Sequence, residues 1–83
     1  MQIERIEEPV SVVAVFSGGE VSPVEFRWKH RQYEVFAVNG RWMDRQGDGC
    51  SRHYSVQVEG ETYYLHFASQ DMQWWLDQVV LDA

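Results

Sequence analysis

The sequence predicts an all-β fold: a single antiparallel meander of about six strands, strongly curled or closed into a small barrel. Three observations predict it. Apolar residues recur with a period of two along most of the chain, which is the strand period. Short turn signals containing Gly, Asp or Ser separate the alternating runs. The 83 residues also include 4 Trp, 4 Tyr and 4 Phe, rings that suit a pleated, half-buried surface.

The runs follow one another closely. Val10, Val12, Ala14 and Phe16 alternate with Ser11, Val13, Val15 and Ser17, and this first strand is apolar on nearly both faces, as a central strand is. Ser17-Gly18-Gly19-Glu20 turns the chain. Val24, Phe26 and Trp28 then alternate with Pro23, Glu25 and Arg27, and Pro23, which has no N–H to donate, belongs at a strand start or edge. A tight turn at Lys29-His30 or His30-Arg31 leads into Tyr33, Val35 and Ala37, with Phe36 and Val38 on the other face. Asn39-Gly40 reads as a turn or bulge before Arg41-Trp42-Met43, and the polar stretch Asp44 to Ser51 reads as a loop. Tyr54, Val56 and Val58 form a half-buried strand, Glu59-Gly60 a hairpin turn, and Tyr63, Leu65 and Phe67 the returning strand. After Ser69 to Met72 the chain ends in an apolar run from Trp74 to Leu81, read as a strand, with a short C-terminal helix as the alternative. Residues 1–83 make one small domain, of which residues 1–8 are expected to be loosely held.

Area scaling gives a chain of this size about 14,000 Å² of surface unfolded and about 5,200 Å² folded, so the sheet must curl over itself or pair with another chain to cover its apolar face. A deep enzymatic cavity, typically about 300–1,000 Å³, is difficult to build alongside such a core. No apolar run approaches the length of a membrane helix, and the acidic start has no apolar signal-peptide core. The one cysteine, Cys50, excludes an intrachain disulfide. A cytoplasmic protein with no membrane association is therefore expected.

The order of residues resembles a bacterial family of small all-β proteins known only as a domain of unknown function. The likeness rests on Glu8-Pro9-Val10, Gly18-Gly19, the series Phe26, Trp28, Arg31, Tyr33, Val35, Val38 and Trp42, then Tyr54, Val56, Phe67 and Trp74 or Trp75. It would cover nearly the whole chain. Some members are encoded beside Y-family error-prone DNA polymerases, which implies a link to DNA damage tolerance and brings no activity, cofactor or catalytic residue. The chain departs from the family pattern at His30, where a glycine tends to follow Trp-x.

Charge is segregated. The formal net charge is −6, yet residues 26–53 hold six bases (Arg27, Lys29, Arg31, Arg41, Arg45, Arg52) against three acids, while residues 54–83 hold five acids and no base. Trp28, Tyr33 and Trp42 lie among those bases. The expected function is a non-enzymatic binding module, a protein-interaction domain whose face combines Trp28, Arg31, Trp42 and Arg45. Its protein partner is not identified by the sequence. The alternative is an accessory protein that binds single-stranded nucleic acid, since arginines neutralise phosphates and rings stack on unpaired bases. The acidic total opposes that alternative by repelling phosphate. A homodimer through exposed strand edges is also open.

No enzyme, cofactor or metal site is expected. Cys50-x-x-His53 has the spacing of half a zinc site, but His30, His66, Asp44 and Asp48 supply no second pair. Cys50, His53 and an Asp could compose a nucleophilic set, but no oxyanion donor pattern accompanies them. The Asp44–Asp48 loop lacks the terminal Glu of a calcium loop, and Gly18-Gly19 precedes no helix that would make it a phosphate loop.

Overall fold

The computed structural model describes residues 1–81, apart from the side chain of Gln46. The chain is all-β, with seven strands: β1 (Gln2–Ser17), β2 (Glu20–Trp28), β3 (Arg31–Glu34), β4 (Ala37–Gln46), β5 (Gly49–Val58), β6 (Glu61–Ala68) and β7 (Gln73–Leu81). They form one antiparallel sheet in the order β3-β2-β1-β7-β6-β5-β4. The C-terminal run is a strand, not a helix. None of the described residues forms a helix long and apolar enough to cross a membrane.

The sheet's two outer strands, β3 and β4, are consecutive in the chain, so the sheet curls until its edges come together at the junction between them. At the junction Val35 N–H donates to Val24 O on β2 at 3.0 Å, and the next residue, Phe36, donates to Gln57 O on β5 at 2.8 Å. One peptide step therefore carries the chain from one edge of the sheet to the other. Six strands become seven because the run from Arg31 to Gln46 is kinked here and split between two partners. Arg41 on β4 also donates across the curl to Ser22 Oγ on β2 at 3.0 Å. The result is a half-barrel with extents of 39 × 24 × 24 Å. Its surface of 5636 Å² exceeds the roughly 5,200 Å² of an average folded chain of this size, as an incompletely closed curl should.

Strand β1 is long because it serves two neighbours. Residues 2–10 pair with β7 and residues 11–17 pair with β2. Residues 1–8, expected to be loosely held, are strand from Gln2 onward. Pro9 lies just before pairing with β2 begins, where β1 has a neighbour on only one side and a missing N–H costs least. Pro23 sits opposite Ala14 at a bulge in β2, another place where proline is tolerated. The stretch Asp44 to Ser51, expected as a loop, is the tip of the β4–β5 hairpin: strand continues to Gln46, turns at Gly47-Asp48 and resumes at Gly49.

Alternation sorts the side chains as the period of two requires. Tyr54, Leu65 and Leu76 form one inward row across β5, β6 and β7, and Val56, Tyr63 and Val79 form the next. Phe26, Val56, Leu65 and Leu76 are wholly buried among them. Aromatic pairs close the ends of the curl. Phe26 stacks on Tyr33 with centroids 5.0 Å apart, and both meet Tyr63, while Trp74 meets Tyr54 and Phe67 on the far side.

Candidate functional site

The outer face of β4–β7 carries a ladder of four rings, one from each strand. Trp42 is paired with His53, His53 with His66, and His66 with Trp75. Directly opposed residues of an antiparallel pair share a face, so register alone places the four side by side. The rings stand like plates in a rack. Centroids are 5.3, 5.1 and 6.2 Å apart with interplanar angles of 8°, 29° and 10°. These spacings follow the roughly 4.8 Å between neighbouring strands. Pro9 on β1 is the next residue in the row, and Tyr64 meets Trp42 edge-on at 6.3 Å.

Two backbone irregularities shape the ladder. The β4–β5 register shifts between Val38 and Gly40, so the sequence signal at Asn39-Gly40 is a bulge. A β-carbon on Gly40 would stand 2.9 Å from Ser55 Oγ and 3.9 Å from a ring atom of Trp42. Glycine thus lets β4 and the tryptophan lie close against β5. The second irregularity is in β7, where Leu76 pairs with Leu65 and Gln78 with Tyr64, leaving Asp77 as an extra residue with no partner. That bulge aims the Asp77 carboxylate at His66: Nδ1 lies 2.7 Å from one carboxylate oxygen and 2.9 Å from the other. A carboxylate only accepts, so Nδ1 carries the proton, and the lone pair of a neutral His66 ring is on Nε2.

Burial is the main cause that lowers the His53 pKa, and the neighbouring His66 lowers it further, against smaller opposing effects of Asp77 and Asp44. His53 is therefore an uncharged acceptor at neutral pH. One ligand atom each from His53, His66 and Asp77 lies within 4.8 Å of the other two. Asp44 shares the outer face, opposite Ser51. By register, no Lys or Arg of β4–β7 points to this face among the described residues; Arg5 of β1 lies opposite Gln78.

The four residues expected to form one face are not gathered on one. Trp42 belongs to the ladder and is 48% exposed. Arg45 is opposite Cys50, on the other side of β4 from Trp42. Trp28 and Arg31 belong to the β2–β3 hairpin at the aromatic end of the curl. There the Trp28 indole donates to Glu8 at 3.1 Å, Lys29 lies over its ring, and Arg31 lies over Tyr33 and 3.7 Å from Glu59. The physical reason is alternation: arginines at positions 41, 45 and 52 face the opening of the curl, while the rings at 42 and 53 face outward. The same rule separates Cys50 from His53, because three residues along a strand reverse the face.

Sequence reasoning did not find His53, His66, Trp75 and Asp77 as a group. The hairpin turns held most of the signal. A two-residue turn pairs positions equidistant from it, so Glu59-Gly60 sets His53 against His66, and Gly47-Asp48 sets Trp42 against His53. Asp77 had no such signal, since only the bulge brings it into the group. Compared with family models, curated proteins and solved structures, the chain matches none.

Proposed function

We propose that the protein is a non-enzymatic binding module whose partner is another protein, and that the partner presents arginine or lysine to the ring ladder. The observation that carries this reading is the composition of the outer face of β4–β7: four stacked rings, Asp44 and Asp77, and no base among the described residues. Trp42 stands on the edge strand, so its outer ring face is open to a cation, an interaction worth about 0.5–1 kcal/mol when exposed and more when desolvated. Asp44, two residues along the same face, supplies a carboxylate for the same side chain.

Single-stranded nucleic acid fits this face less well. Stacking of successive bases needs several free ring faces, and the stacked rings between Trp42 and Trp75 cover one another's faces. Phosphates need bases, and the arginines are turned elsewhere. A thiol-dependent hydrolytic role lacks its geometry, because Cys50 and His53 lie on opposite sides of β5.

The test is a tryptophan-fluorescence titration of the chelator-treated protein with an arginine-rich peptide and, separately, with oligo-dT at low salt. The peptide should bind saturably, and Trp42→Ala should weaken it at least about tenfold, as loss of an aromatic anchor does. Oligo-dT binding without peptide binding would overturn the reading.

A further inference from the structure

We propose that His53, His66 and Asp77 form a site for one borderline divalent transition-metal ion of the zinc class, with an open coordination position facing outward. The juxtaposition that carries it is a cross-strand histidine pair, made by β5 and β6, joined by a carboxylate that a bulge in β7 brings to the same spot. The inference goes beyond the peptide-docking reading and does not depend on it.

The ligand chemistry selects the class of ion. Two imidazoles and one carboxylate suit Zn(II), Cu(II) or Ni(II), whereas Mg(II) and Ca(II) require oxygen ligands. Three protein ligands with one position left over is the pattern of an open zinc site, and the remaining position would hold water or a side chain of a partner. Zinc–nitrogen bonds of about 2.0–2.1 Å set ligand atoms roughly 3.3 Å apart around a tetrahedral ion. The three ligand atoms already lie within 4.8 Å. Turning the imidazoles about their terminal torsions closes the difference, and this torsion is a soft one. The His66 and Asp77 side chains are 22% and 30% exposed, so they have room to turn and an ion has access.

Local electrostatics agree with the geometry. No ammonium or guanidinium of β4–β7 shares the face among the described residues, and Asp44 adds a second carboxylate nearby. The carboxylate of Asp77 and Nδ1 of His66 already converge at 2.7 Å, and an ion bound between them takes the place of the Nδ1 proton, which is released. Loading the site turns His53 out of its stack on Trp42, so occupancy should register in tryptophan fluorescence.

The experiment is calorimetric titration of the chelator-treated protein with zinc chloride, followed in parallel by tryptophan fluorescence. One Zn(II) per chain should bind with micromolar affinity. His53→Phe keeps a ring in the ladder and removes a ligand, and it should weaken binding at least about tenfold, as should Asp77→Asn. Cys50→Ser, on the other face, should leave affinity unchanged. Circular dichroism confirms that each variant is folded, and either ligand variant alone decides the matter if the other is not. The proposal is overturned if the wild-type protein shows no saturable zinc binding. It is equally overturned if His53→Phe and Asp77→Asn bind as the wild type does, or if Cys50→Ser abolishes binding. Because the peptide titration is run without metal, its failure and failure of the zinc site are read separately.

Discussion

At Tyr63 a single phenol couples the core to pH. The side chain is buried in the inward row between Val56 and Val79, and its hydroxyl donates to Glu61 at 3.2 Å. Burial, the adjacent Glu61 carboxylate and Tyr33 push its pKa from 10.0 up to about 12, against a small opposing pull from Arg31. The folded chain thus keeps a proton that the unfolded chain loses between those two values. Stability is fully present below the unfolded pKa and falls as pH rises from 10.0 to about 12. Urea unfolding midpoints measured across that range should drop for the wild type and drop much less for Tyr63→Phe. Residue by residue, the inward positions were legible because alternation alone assigns them. Tyr54, Val56, Val58, Tyr63, Leu65 and Phe67 are all buried. Asp77 was not legible, since a bulge obeys local backbone geometry that no period announces.

Among the elements, the β2–β3 turn carries an avoidable strain. Lys29 and His30 both adopt left-handed backbone, with φ of 52° and 61°, the pattern of a type I′ hairpin turn. Asn-Gly is the pair that such turns favour, and a non-glycine residue held there costs of order 1 kcal/mol or more. The double substitution Lys29→Asn, His30→Gly should raise stability by about 1 kcal/mol, read as a higher urea midpoint with unchanged slope. The abrupt restart of alternation at Tyr33 narrows this turn to Lys29-His30 or His30-Arg31, and the pairing of Trp28 with Arg31 selects the first. The β4–β5 tip was misread because its polar residues, Asp44 to Ser51, are what a loop would show. They extend beyond the core, where a strand needs no apolar face to be paired.

Closure of the whole molecule depends on the step from Val35 to Phe36. The Phe36 side chain is 85% exposed, so Phe36→Ala should cost less than about 0.5 kcal/mol. Phe36→Pro removes the N–H that bonds to Gln57 and leaves that carbonyl unpaired, so it should cost about 1–3 kcal/mol. Comparing the two variants by thermal unfolding, with hydrogen exchange at Val35 as a second readout, separates the seam's hydrogen bond from the ring. The curl itself was legible as one of two ways, curling or pairing with another chain, in which a single sheet of so few residues covers its face. The meeting of edges at one peptide was not, since alternation through Tyr33, Val35 and Ala37 continues smoothly in the sequence while the hydrogen-bonding partner changes.

The pairing of β1 with β7 sets Gln2 opposite Leu81. A fusion attached at the front of the chain and one attached behind Leu81 would therefore depart from the same spot. Six residue steps along β7 separate that spot from Trp75, roughly 20 Å at strand rise. A fluorophore or affinity handle at either terminus should leave the ring rack unobstructed. A short peptide joining the two ends, with the chain cut at Gly18-Gly19 instead, should yield a permuted protein with the same sheet.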